Sequence, residues 1–513
     1  MADNTNEFRF KSSARNAMTA AVTSIVMGVV SFIERMVFNQ CFISDYLGFY
    51  SLFGNIISII AVAELGLSTA IAYSLYAPLA EDNFEEVNVI MHLFRKVYRI
   101  MGTIILAAGL AVTPFMRYFV RTEVDITYVQ ICFVIFLLGT VSEYFFYYKS
   151  IIFSASQREY VNTLLTNICW TVMYAVQIAA SIITHSFLLY SLLILAFTLI
   201  RCTVVNILAR KKFPFLSKKP TRRIAKDSRD KIISNVKGLI ADKLGGVLIN
   251  SSDSLLISAM IGSSILGLYS NYQMITKGIL GFTRILPNAI TASLGNMGAV
   301  EDSNSMEDGY KAIDLSFYLI YGVLAIVLFN IINPIIQLFF GASRVLPFTT
   351  ALIMSVLFYI QNIKSLYYTY KSSLGLYWYD RFRPLISGAT NLIVSIILAK
   401  ILGLDGILLG TIISYVVIDL WVEPMIIFHH GFHKSSHRYI AATMMRLAFV
   451  TGMMLATWQL TDMITVSGIF GIIAKLVLSL VITVAVFALI YCRNKYVKQS
   501  VKAVRRFIFK REK

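Results

Sequence analysis

Charge is scarce in this sequence. Only 14% of its 513 residues are Asp, Glu, Lys or Arg, and 57% are hydrophobic; soluble domains run near roughly 25% and 45–50%. Polar intervals are scarcer still, the longest reaching only from Arg210 to Lys231. No interval can form a separate soluble domain, which sets aside a multidomain soluble enzyme or a disordered chain. The five cysteines, Cys41, Cys132, Cys169, Cys202 and Cys492, lie in or beside apolar runs without a C-x-x-C pair, so neither a disulfide framework nor a zinc site is supported. A GK[ST] phosphate loop, a G-x-S-x-G elbow and an H-E-x-x-H pair are all missing, so ATP hydrolysis is not expected. Period-2 alternation is missing too, which removes a β-barrel. What remains is an all-α polytopic membrane protein.

A hydrocarbon core of about 30 Å takes about 20 apolar helical residues. Fourteen candidate spans of that kind lie near 17–40, 47–76, 97–120, 126–149, 160–183, 187–209, 236–261, 265–296, 312–340, 345–371, 384–402, 406–429, 440–461 and 464–492. The first is read as uncleaved, since no short apolar run with a cleavage site precedes it. The net charge of +18 resides in short segments between spans and in the tail, where anionic lipid, not nucleic acid, is the expected partner. One face collects Arg9, Lys11 and Arg15, then Arg95 and Lys96, then Lys149 and Arg158. The same face has the ten cations from Arg210 to Lys231, then Lys371, Arg381 and Arg383, then Lys434, Arg438 and nine more from Arg493 to Lys513. The other face has little beyond Arg117, Arg121, Arg344 and Lys400. The positive-inside rule then places both termini in the cytoplasm.

The halves repeat. Leu47-Gly48-Phe49-Tyr50-Ser51 returns as Leu266-Gly267-Leu268-Tyr269-Ser270, an offset of 219. The same offset pairs Asn16 with Asn235, Glu34 with Asp253, and Ala70-Ile71 with Ala289-Ile290. With small drift, Pro114 meets Pro334, and Tyr148-Lys149-Ser150 meets Tyr370-Lys371-Ser372. Six spans separate the copies, so the repeat is parallel, a pattern of transporters whose substrate lies between halves. The expected organisation is an N-lobe of six spans over 1–210 and a basic linker over 211–234. A C-lobe of six spans over 235–430 follows, and then two further spans with a basic tail over 431–513.

The run Ala63-Glu64-Leu65-Gly66-Leu67-Ser68-Thr69-Ala70-Ile71, followed by Ser74-Leu75-Tyr76-Ala77-Pro78-Leu79-Ala80, resembles bacterial polysaccharide flippases of the Wzx type. Tyr148-Lys149-Ser150 with Gln157-Arg158-Glu159-Tyr160, and Arg381-Phe382-Arg383-Pro384-Leu385-Ile386, carry the same resemblance. These flippases belong to the multidrug/oligosaccharidyl-lipid/polysaccharide (MOP) exporter superfamily. The resemblance implies two six-helix lobes plus two C-terminal helices in a bacterial cytoplasmic membrane. It further implies a monomer that flips undecaprenyl-diphosphate-linked oligosaccharide outward for capsule, O-antigen or exopolysaccharide, alongside glycosyltransferases and a glycan polymerase. A lipid II flippase and a cation-coupled drug exporter of the same superfamily are alternatives. A membrane glycan polymerase would need a large outer loop, and every outer loop here is short.

Ionisable residues inside spans cost about 2.5–3.5 kcal/mol each on insertion scales, so each needs a partner or a wet cavity. Lys277 and Arg284 are seven residues apart, on one helix face about 10 Å apart; they are the leading candidates to hold a diphosphate. Pairing with an acid on a neighbouring span is the simpler alternative. Arg35, Lys243 and Lys364, with Tyr367 and Tyr368 as stacking surfaces for sugar rings, complete the candidate substrate site; an interfacial aromatic belt explains the tyrosines equally well. Glu34, Glu64, Asp242 and Asp253 are candidates for a coupling H+ or Na+, with static salt bridges as the alternative. Glu143, Asp314, Asp419, Glu423, Arg446 and Lys475 are further charges within spans. His429, His433 and His437 have metal-like spacing but sit among cations, which favours a solvated loop. No metal or cofactor is expected.

Overall fold

The computed structural model describes residues 2–61, 67–217, 220, 251–287, 290, 294, 303–464, 466 and 468–498, with backbone alone for 2–21 and a few other positions. Among these residues the chain is helical, without a strand. The helices are α1 (Ala2–Cys41), α2 (Ser44–Ile60), α3 (Leu67–Ala80), α4 (Phe84–Val112), α5 (Ile126–Phe146), α6 (Glu159–Thr184) and α7 (Phe187–Lys212). They continue as α8 (Ser251–Ile261), α9 (Ser263–Thr283), α10 (Ser303–Phe340), α11 (Phe348–Ser373) and α12 (Arg383–Leu402). The last three are α13 (Leu404–Gly431), α14 (His437–Asp462) and α15 (Gly468–Tyr491).

Among the described residues, ten helices are long and apolar enough to cross a membrane. The other four expected spans correspond to α2 with α3, to the region 236–261 of which only its end is described, to α9 and to α11. The protein is therefore a multi-pass membrane protein. Helix starts follow local chemistry: Asn83 accepts a hydrogen bond from the Glu86 N–H at 3.1 Å, and Asp125 accepts from the N–H groups of Thr127 and Tyr128 at 3.3 Å. Each oxygen satisfies a backbone donor that the first helical turn leaves without a partner.

The chain divides into two compact units, Met1–Gly267 and Leu268–Lys513. In the first, α1 packs on α6 and α5 on α7. The Asn167 amide donates to Thr23 Oγ1 at 2.6 Å, giving a polar tie where apolar surface alone has little preference for helix over lipid. The repeated glycine motif meets itself here. A Cβ on Gly48 would overlap the Ser263 carbonyl, and one on Gly267 would overlap that of Ser44. Ser44 and Ser263 stand at the same 219-residue offset as the glycines, so the contact is a reciprocal exchange between repeat copies. All four residues lie in the first unit.

In the second unit α12 and α13 form the tightest pair. Side chains at Gly406 and Gly410 would collide with Leu398 and Ser395 across the interface, the small-residue spacing that lets helix backbones touch. Hydrogen bonds from Asn391 to Thr411 Oγ1 and from Ser414 to the Ser387 carbonyl, both 2.7 Å, fix the register. Two π-helical turns, Tyr415–Asp419 and Ile427–Gly431, bracket Pro424 in α13. Such turns are frequent at functional positions, since they widen the helix and re-aim its side chains.

Candidate functional site

That register brings six charges together inside the second unit. Arg383, at the start of α12, is the hub. It donates to Asp380 through Nε at 2.6 Å and through its terminal nitrogen at 2.9 Å, lies 2.9 Å from Glu423, and pairs with Asp419. Lys364 of α11 pairs with Asp419 and sits 3.4 Å from the centre of the Tyr415 ring. Lys371, in the last turn of α11, pairs with Asp380 and donates to Glu423 at 2.9 Å. The Ser387 hydroxyl adds a bond to Asp419 at 3.1 Å. Three cations face three carboxylates, and Asp419 and Lys371 are fully enclosed. Neutrality is what a low-dielectric interior demands of such a cluster. A second buried system joins Asp314 of α10 to Arg446 and to the Tyr439 hydroxyl, the latter at 2.6 Å.

The first unit has its own buried charges. Glu34 accepts from the Tyr190 hydroxyl at 2.9 Å, and Arg35 lies 5.7 Å from the Tyr50 ring centre. Arg201, in the middle of α7, pairs with Glu143 and lies 4.5 Å from the Tyr147 ring centre and 5.9 Å from that of Trp170. The repeat-matched lysines are both buried, Lys149 at 6% exposure and Lys371 at 1%, but their surroundings differ. Lys371 has two acids, whereas burial and the nearby Arg210 and Arg95 hold the Lys149 pKa below the ordinary lysine value.

The candidate residues fall in three settings. Lys277 and Arg284 are exposed; Lys277 donates to Gln273 Oε1 at 3.1 Å, and neither makes an ion pair among the described residues. Tyr368 is exposed, whereas Tyr367 on the same helix is enclosed, with its hydroxyl 3.2 Å from that of Tyr439. Lys364 is committed to Asp419. Glu34 and Asp253 are buried. Glu64, Asp242 and Lys243 lie outside the described residues. Arg201 escaped the sequence reading although its signal was plain, a lone arginine in the middle of an apolar run. Asp380 and Arg383 escaped it as members of the cluster because they read as loop residues.

The fold is that of MOP-superfamily transporters and flippases. Among solved structures, the chain resembles the lipid II flippase MurJ in an inward closed conformation, with a TM-score of 0.66 at 10% identity over 93% of this chain and 100% of that one. It also resembles an inward-facing multidrug-resistance MATE family transporter of the MOP superfamily (TM-score 0.56, 15% identity, 84% of this chain and 99% of that one). A MOP superfamily transporter from Pyrococcus furiosus matches with a TM-score of 0.51 at 12% identity, over 83% and 97% of the two chains. These neighbours are transporters and flippases, not enzymes. No protein-family model and no curated protein sequence matches the chain.

Proposed function

We propose that this protein flips an undecaprenyl-diphosphate-linked oligosaccharide from the cytoplasmic to the outer face of a bacterial cytoplasmic membrane. The observation that carries the proposal is the likeness to a lipid II flippase over 93% of the chain. The sequence motifs that resemble Wzx-type flippases point to an oligosaccharide repeat unit as the cargo. Both termini are cytoplasmic in this reading, which puts the basic segments against anionic lipid. Lys277 and Arg284, exposed and without acid partners among the described residues, hold the diphosphate, and Tyr368 offers a ring face to sugar. The membrane potential supplies about 2.3 kcal/mol per charge per 100 mV, which favours outward movement of a dianionic headgroup. Glu34 and Asp253 are the residues at which a proton or sodium ion would couple. Glycosyltransferases supply the cargo and a glycan polymerase consumes it.

Lipid II shares the polyprenyl diphosphate, and the MurJ likeness favours it as the second reading. Proteoliposomes loaded with each lipid, and separately with a cationic drug, distinguish the readings by protection of the headgroup from an external reagent. Faster flipping of the oligosaccharide lipid is expected, and its loss in Lys277→Ala/Arg284→Ala with unchanged insertion. Equal or faster lipid II flipping transfers the assignment to lipid II. Normal flipping by the double variant removes the diphosphate site.

A further inference from the structure

The second unit contains a cavity that the transport reading does not use. It has a volume of about 1010 Å³ and lies where the first turns of α10 and α14 meet the last turn of α15. Four cations line it, Lys311, Lys434, Arg438 and Arg446, against two carboxylates, Glu307 and Asp314. Glu307 is shared between Lys311, at 2.6 Å, and Lys434, and Asp314 is occupied by Arg446 and Tyr439. Arg438 is exposed and makes no ion pair among the described residues. The wall is therefore cationic by two charges.

A second cavity, of about 810 Å³, adjoins the first at Tyr491, which lines both. It is a groove between α10 and α15, walled by Ile320, Val323 and Leu324 on one helix and Val484, Phe487 and Ala488 on the other. Among the described residues, its one charged lining residue is Lys498. The segment after α15 turns back to make that end. Lys495 Nζ lies 3.3 Å from Asp308 Oδ2, and the Tyr496 hydroxyl donates to Asp308 Oδ1 at 2.8 Å.

Charge and apolar surface are thus ordered along the helix axis. From Glu307 to Leu324 the rise is about 25 Å at 1.5 Å per residue, more than half of a hydrocarbon core of about 30 Å. A soluble anion has no use for the groove, and a neutral hydrocarbon has no use for the cations. We propose that the two cavities form one site for a resident anionic phospholipid, its phosphate on Arg438 and Lys434 and one acyl chain between α10 and α15. The site stands apart from the transported lipid, and its test does not depend on transport.

The test titrates the purified full chain in detergent with phosphatidylglycerol or with phosphatidylcholine of the same acyl chains, reading bound lipid by native mass spectrometry. Phosphatidylglycerol should bind more tightly, and Arg438→Gln should weaken it about fivefold, the loss of one basic contact near the surface. Ala488→Trp, which fills the groove at an exposed position, should weaken it too. Lys498→Gln provides a second charge variant. Unchanged thermal melting in each variant is the folding control. Equal affinity for the two lipids, or phosphatidylglycerol binding indifferent to both Arg438→Gln and Ala488→Trp, overturns the proposal. Competition by inorganic phosphate would mark a free-anion site, and preference for undecaprenyl diphosphate over phosphatidylglycerol would assign the site to cargo; either also overturns it.

Discussion

Removing Asp419 tests whether the six-charge cluster holds the second unit together. Asp419 is fully enclosed and accepts from Lys364, Arg383 and Ser387. In Asp419→Leu three cations face two carboxylates, and Lys364 loses its acid. Breaking one side of a buried pair costs about 3–5 kcal/mol, because the remaining charge is stranded in low dielectric. For a soluble unit of 150–250 residues each kcal/mol moves Tm by about 2–4 °C, so a fall of roughly 6–20 °C is expected on that scale. Adding Lys364→Met restores two cations against two carboxylates. The double variant should recover part of the loss, its residual cost of about 1–3 kcal/mol arising from the Arg383 donor left without Asp419. The assay is thermal unfolding in detergent, followed by tryptophan fluorescence, for wild type, both single variants and the double. Additive losses in the cycle would refute the reasoning, since they would mean that Lys364 and Asp419 do not depend on each other.

In the first unit, Arg201→Leu should lower stability by about 3 kcal/mol and Arg201→Lys by about 1 kcal/mol, since lysine keeps the charge but loses the planar fork and the stacking on Tyr147 and Trp170. A lysine variant melting with the wild type would show that charge alone matters, and equal melting temperatures for the two variants would show that the charge contributes nothing. Gly48→Ala should destabilise by about 1–3 kcal/mol through overpacking against the Ser263 backbone, and Gly267→Ala should do the same against Ser44. A variant melting at the wild-type temperature at either glycine would count against the reciprocal contact.

The sequence by itself determined the class of protein, all-helical and multi-pass, and the order along the chain of the spans that the described helices cover. Hydropathy is a local property: a run such as 312–340 must leave water whatever its neighbours are, and α10 spans Ser303–Phe340 accordingly. The repeat was equally legible, because Gly48 and Gly267 are held by a contact that no larger residue permits. Charge partners were not legible. Lys364, Tyr367 and Tyr368 stand within five positions on one helix, yet one pairs with Asp419, one is enclosed beside Tyr439 and one is exposed. Which of these applies depends on the faces that α12, α13 and α14 present to α11. Those faces are set by the glycine contacts of α13 and by its π-helical turns, and linear spacing does not encode them. Arg383 shows the same division from the other side. Its position read as a loop cation of the cytoplasmic face; Asp380 stands three residues before it, but only the packing of α12 on α13 carried it into reach of Asp419 and Glu423.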